Sequence, residues 1–175
     1  GFVGNLAYHK GVHILVDAFR RLNSEKVLLK LYGSCHDTSY LDHIKKMIGN
    51  DKRIELKGSF EKEEIGEIYS HLDVLVIPSV CYESYSLVLH EAYASNVPVI
   101  ATNLGVFKEK IENGKNGFLF DVGSSNELLS ILEKISLHPV VLNKIKEEMK
   151  NLMVPTIEQE AYAYEKAYRS TLSNL

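Results

Sequence analysis

Residues 74–92 read Val74-Leu75-Val76-Ile77-Pro78-Ser79-Val80-Cys81-Tyr82-Glu83-Ser84-Tyr85-Ser86-Leu87-Val88-Leu89-His90-Glu91-Ala92. Four consecutive aliphatic residues end at a proline, the pattern of a short strand covered on both faces. A polar loop follows, and from about Ser84–Ser86 the chain predicts a helix running to about Ala94. Strand, short loop and helix in that order form half of a β-α-β unit.

The same alternation extends in both directions. Apolar runs at 2–3, 27–32, 54–56, 97–101 and 118–120 are rich in β-branched residues and end at Gly, Pro or Ser. Between them lie helical periods. Residues 11–22 place Ile14, Leu15, Ala18, Phe19 and Leu22 on one stripe, and 40–48 do so with Leu41, Ile44 and Ile48. Residues 61–70 begin with acids, which suit the positive end of a helix, and turn Ile65 and Ile68 inward. Six such alternations with short connections predict a Rossmann-like α/β domain, a parallel sheet wound on both faces. Beyond Phe120 the pattern is purely helical, over 124–136, 139–151 and 156–172. The expected organisation is therefore one domain over 1–175, with a core to about 153 and a C-terminal helical extension over 154–175.

Composition narrows the function. The 175 residues are 45% hydrophobic and 25% charged, and 20 Lys+Arg against 23 Asp+Glu leave a net charge of −3. That balance offers no basic footprint for a nucleic-acid backbone. No apolar run approaches the roughly 18–20 residues of a membrane span, so no transmembrane segment is expected. Cys35 and Cys81 are too few and too unpatterned for a disulfide framework or a zinc site, which suggests reduced thiols in a cytosolic setting. The seven histidines show no metal-ligand spacing. No metal or other cofactor is expected. The chain opens inside an apparent strand, Gly1-Phe2-Val3-Gly4, which reads as a piece of a longer protein.

In sheets of this kind ligands bind beyond the carboxyl ends of the strands. The first such loop, 4–11, is not a phosphate-binding P-loop and lacks G-x-G-x-x-G. It does set Lys10 just before a helix, where a cation opposes the helix dipole unless an anion sits nearby. The helix expected after Ile77 has no acid in its first turn, so its free amides can also meet an anion. Glu83 at the loop edge and Glu91 in the helix are carboxylates suited to paired hydroxyls, which together suggest a polyol joined to a phosphate. Gly105, after the fifth run, allows a ligand close to the backbone. A plainer account stays open: Lys10 and Glu91 solvated, and Glu83 complementing the helix dipole.

These residues resemble the C-terminal, donor-binding domain of the GT-B retaining glycosyltransferases called group 1 or family 4. The likeness covers nearly the whole chain. It rests on E-x7-E at Glu83 and Glu91, on Tyr69-Ser70-His71-Leu72-Asp73-Val74, on Val97-Pro98-Val99-Ile100-Ala101-Thr102, and on Asn116-Gly117-Phe118-Leu119. Asn5 stands where the family usually has Arg, Ser84 and Ser86 replace glycines, and Gly105-Val106 replaces Gly-Gly.

The resemblance implies a retaining transfer of sugar from a nucleotide diphosphate sugar. Glu91 would hold the ribose, and Glu83 the donor sugar. Lys10 and the amides from about Tyr85 through Ser86 and Leu87 to Val88 would hold the diphosphate, near Gly4 and Asn5. Ser59 and Phe60 would lie against the base. Glu83 and Lys10 are the expected catalytic residues. The implied partner is the protein's own N-terminal acceptor domain. The implied location is cytoplasmic, whether free or peripherally associated with the inner face of the membrane. Two other readings remain, a GT-B sugar-nucleotide epimerase and a degenerate, non-catalytic nucleotide-sugar-binding domain. In the family the final helix crosses towards the other domain. Its stripe of Ile157, Ala161, Tyr164, Tyr168 and Leu172, with Tyr162 beside it, is therefore expected to be exposed.

Overall fold

The computed structural model describes residues 1–172. Six strands alternate with helices: β1 (Phe2–Val3), α1 (Val12–Arg21), β2 (Leu29–Tyr32), α2 (Thr38–Ile48), β3 (Ile54–Gly58), α3 (Ile65–Ser70), β4 (Leu75–Ile77), α4 (Leu87–Ala94), β5 (Val99–Thr102), α5 (Val106–Lys110) and β6 (Gly117–Phe120). Three helices follow, α6 (Ser125–Leu137), α7 (Val140–Met149) and α8 (Ile157–Leu172). The last three positions of the expected C-terminal extension, 173–175, lie outside the described residues.

The strands form two parallel three-stranded sheets, β1-β2-β3 and β4-β5-β6. Their inner edges meet. The Gly1 amine donates to Val74 O and the Val76 amide donates to Gly1 O, both at 2.8 Å, which is the alternation of a parallel ladder. The spatial order is thus 3-2-1-4-5-6, reversing direction between β1 and β4.

Alternation of side chains along each strand builds two cores. Phe2, Leu29, Leu31, Val76, Ile100, Phe118 and Phe120 face α1, α2, α6 and α7. Val3, Leu75, Ile77, Val99 and Ala101 face α3, α4 and α5. Helices therefore cover both faces, the Rossmann-like arrangement expected. Several helix starts are locally encoded. Asp37 accepts from the Ser39 and Tyr40 amides, and the Ser124 hydroxyl from the Glu127 amide.

Some boundaries differ from expectation. Leu28 is exposed and β2 begins only at Leu29. The helix expected over 61–70 is divided: Lys62–Glu64 form a 3-10 turn closed by a capping box between Glu61 and Glu64, and α3 begins at Ile65. No residue of α8 is buried, and Ile157, Ala161, Tyr162, Tyr164, Tyr168 and Leu172 are all exposed. None of the helices among the described residues is long and apolar enough to cross a membrane.

Candidate functional site

The reversal of strand order places the loops after β1 and β4 side by side at the carboxyl ends of their strands. After β1, Tyr8–Lys10 form a 3-10 turn that ends at Gly11, φ 71°. A Cβ at Gly11 would run into the Pro78 carbonyl, so only glycine lets the two loops come this close. The Val80 amide then donates to His9 O at 2.9 Å.

This apposition brings Lys10 onto Glu83, with Nζ 2.8 Å from Oε1. The Ser79 hydroxyl, fully buried, donates to the same oxygen at 2.7 Å. Ser79 is itself held, since its carbonyl accepts from Thr102 Oγ1 at 2.8 Å. The ends of β1, β4 and β5 thus converge on one carboxylate. Burial pushes the Glu83 carboxyl up, but hydrogen bonds from Lys10 and Ser79, with the Lys10 charge and the Ser86 hydroxyl, outweigh it. The group rests below its ordinary range.

Gly105 backs the same loop. The Val106 amide donates to Glu83 O at 3.2 Å, and a Cβ on Gly105 would sit 2.9 Å from that oxygen. Beyond Glu83, Ser84 and Tyr85 are exposed and Ser86 is buried as the residue capping α4. The Ser86 side chain makes no capping hydrogen bond and the first turn holds no acid. The amides of Leu87 and Val88 are therefore open at the positive end of α4. The Tyr85 amide, expected to belong to that set, lies in the loop because α4 begins at Leu87. Tyr85 is fixed differently: its ring stacks on His90 at 4.3 Å, and His90 Nδ1 lies 2.8 Å from Ser86 O.

Glu91 sits about one turn along α4. Its Oε2 accepts from the Tyr69 hydroxyl at 3.2 Å, so it is not the solvated surface acid of the plainer account. Burial and the Glu91 charge push the Tyr69 phenol far above its usual range, keeping it protonated. Gly4 ends β1 with its amide donating to Tyr32 O at 3.0 Å, and Asn5 beside it is exposed and uncharged. Ser59 and Phe60 lie past the end of β3, two strands away from β1. Ser59 is exposed, and Phe60 packs edge-on to Tyr32 at 6.5 Å.

Lys10, Glu83, Gly105 and the start of α4 are therefore brought together, with Glu91 further along the same helix. Sequence reasoning assigned no role to Ser79, Thr102, Gly11 or Tyr69. Tyr69 stood in a quoted motif, and Ser79 follows the strand-ending proline, but neither position alone reveals a partner. Among the described residues no group of three His, Cys, Asp or Glu is arranged to hold a metal ion.

A family model described as glycosyl transferases group 1 matches residues 1–152. The uncharacterized glycosyltransferase MJ1607 of Methanocaldococcus jannaschii is 32% identical over 117 residues, covering 66% of this chain and 30% of that protein. A GDP-mannose-dependent alpha-mannosyltransferase of Corynebacterium glutamicum is 32% identical over 129 residues, covering 74% and 29%. Anabaena Alr3699/HepE in complex with UDP superposes with a TM-score of 0.82 at 25% identity, covering 99% of this chain and 49% of that one. The chain spans about a third of the length of the curated relatives it matches.

Proposed function

The chain belongs to the group 1 glycosyl transferases, and from that premise we propose that it is the donor-binding domain of a retaining enzyme of the GT-B, family 4 type. It takes a nucleotide diphosphate sugar, while an N-terminal domain of the whole protein holds the acceptor. The observation that carries this reading is the Lys10–Glu83 pair beside the uncapped start of α4, at the point where strand order reverses. A cation and free amides suit a diphosphate, and two carboxylates eight positions apart suit the hydroxyls on either side of it. That UDP occupies the similar Anabaena protein supports the same ligand class.

In this reading Glu91 accepts from the ribose hydroxyls and Glu83 from the donor sugar. Lys10 and the α4 amides take the diphosphate, with Gly4 and Asn5 alongside, and Gly105 lets its own loop pack against the Glu83 backbone. Ser59 and Phe60 border the base. During transfer the bond from the anomeric carbon to the diphosphate oxygen breaks and the acceptor oxygen bonds on the same face. The acceptor proton passes to the departing diphosphate, whose charge Lys10 and the α4 amides stabilise. No metal is assigned a part. The domain comprises a core to about residue 153 and a helical segment from 154, and the whole protein acts in the cytoplasm or at the inner membrane face.

Titration of the isotope-labelled chain with UDP, GDP and ADP, followed by NMR, tests the reading. Half of an interdomain cleft should bind its nucleotide in roughly the 0.1–1 mM range, without transferring sugar. Unmoved amide signals at Lys10, Glu83 and 87–91 with all three nucleotides would overturn it, as would efficient transfer by this chain alone.

A further inference from the structure

Tyr69 has no part in the proposed function, yet among the described residues it is the one side chain that holds the Glu91 carboxylate. It lies near the end of α3, fully buried, with its hydroxyl 3.2 Å from both Glu91 Oε2 and Val88 O. A phenol has one proton to donate. The Val88 carbonyl already serves the helix ladder, whereas the Glu91 carboxylate makes no other hydrogen bond or ion pair among the described residues. A carboxylate is also the stronger acceptor. The proton therefore goes to Glu91 Oε2 and leaves Oε1 free.

We propose that Tyr69 is a positioning residue that selects ribonucleotides: by holding Oε2 it fixes the Glu91 carboxylate in one orientation, with Oε1 ready to accept from a ribose hydroxyl. An unrestrained glutamate loses rotamer freedom when it binds. A glutamate already anchored by a buried phenol on another helix has lost that freedom on folding. Ser79 treats Glu83 in the same manner, so each glutamate is anchored from outside α4.

The proposal rests on the ribose role assigned to Glu91, and the test separates the two. UDP and 2′,3′-dideoxyuridine diphosphate, which lacks both ribose hydroxyls, are titrated calorimetrically into the unaltered chain, Tyr69→Phe, Glu91→Gln and the double variant. Phenylalanine keeps the buried ring and removes only the hydroxyl. Tyr69→Phe should weaken UDP about three- to tenfold and leave the dideoxy nucleotide within about twofold. The double variant should bind UDP no more weakly than Glu91→Gln alone. Equal losses for both nucleotides would reduce Tyr69 to a packing residue and overturn the proposal. So would an unchanged UDP affinity in Tyr69→Phe where Glu91→Gln weakens it. If Glu91→Gln itself leaves UDP affinity unchanged, the ribose assignment fails and the role of Tyr69 with it.

Discussion

Lys10 Nζ lies 2.8 Å from Glu83 Oε1 across 73 residues of chain. The lysine stands just ahead of α1, where the helix dipole disfavours a cation, and Glu83 is the anion that offsets it. An incoming diphosphate would compete with Glu83 for the same ammonium. In the proposed reading, diphosphate binding and release of the Glu83 carboxylate towards a sugar would be linked through this one contact.

Lys10→Ala should weaken nucleotide diphosphate and intact donor alike, by about tenfold, and flatten the salt dependence of binding. In the free chain it removes the cation from a carboxylate that is only 12% exposed. With Lys10 itself near one-third exposed, the stability cost should stay at about 1 kcal/mol. Adding Glu83→Gln should recover most of that loss. Chemical denaturation of the two single variants and the double variant measures this coupling.

The two glutamates should separate by ligand. Glu91→Gln is expected to cost about 1.5–3 kcal/mol, roughly ten- to a hundredfold, for free nucleotide and intact donor alike. Glu83→Gln should bind the free nucleotide at least as tightly, because the carboxylate that competes for Lys10 is neutralised, and should weaken the donor. In the whole enzyme it should also lower turnover, because sugar positioning matters most in the transition state. Calorimetry with each ligand, then initial rates, distinguishes the variants.

Acid should act through Glu83. Its carboxyl lies below the ordinary 4.5 because Lys10 and Ser79 outweigh burial. A group with a depressed folded-state pKa contributes stability above its unfolded value and loses it as pH falls through the folded one. Unfolding free energy measured from pH 6 to pH 3 should therefore fall more steeply below about 4.5 in the unaltered chain than in Glu83→Gln.

Gly11→Ala should be far costlier than an alanine at another left-handed glycine. At Gly123, φ 79°, an added Cβ meets nothing within 4 Å, so only the backbone preference of about 1–2 kcal/mol is lost. At Gly11 the Cβ would meet the Pro78 carbonyl. The turn must then move from the β4 loop and take Lys10 with it. Thermal melts of the two variants should differ by several degrees, and only Gly11→Ala should lose nucleotide affinity.

Much of this could be read from residue order alone. Continuous apolar runs marked β4, β5 and β6 to within a few residues, because a strand buried on both faces must be apolar along its length, and apolar runs interrupted by Lys30 and Glu55 marked the more exposed β2 and β3. Phe2 and Val3 marked the sixth. The 3.6-residue stripes marked α1 and α2, and E-x7-E, in register with its neighbouring motifs, marked Glu83 and Glu91. The exposed stripe of α8 was anticipated as well, but from the family resemblance and not from periodicity.

The division of 61–70 was not legible, because a capping box at Glu61 and Glu64 competes with continuous helix and only the hydrogen bonds reveal which prevails. Nor were the partners legible. Lys10 with Glu83, Ser79 with Thr102 and Tyr69 with Glu91 lie 73, 23 and 22 positions apart. Periodicity reports which way a side chain faces its own element, not which element lies opposite. The sequence by itself determined the strands, most of the helices and which residues are expected to meet an anion and hydroxyls. Only the tertiary structure, by seating β1 against β4 and the β1 turn against Pro78, decided that Lys10, Ser79 and Glu83 share one point. Strand order is a property of the whole assembled sheet, where the burial of both faces is optimised at once.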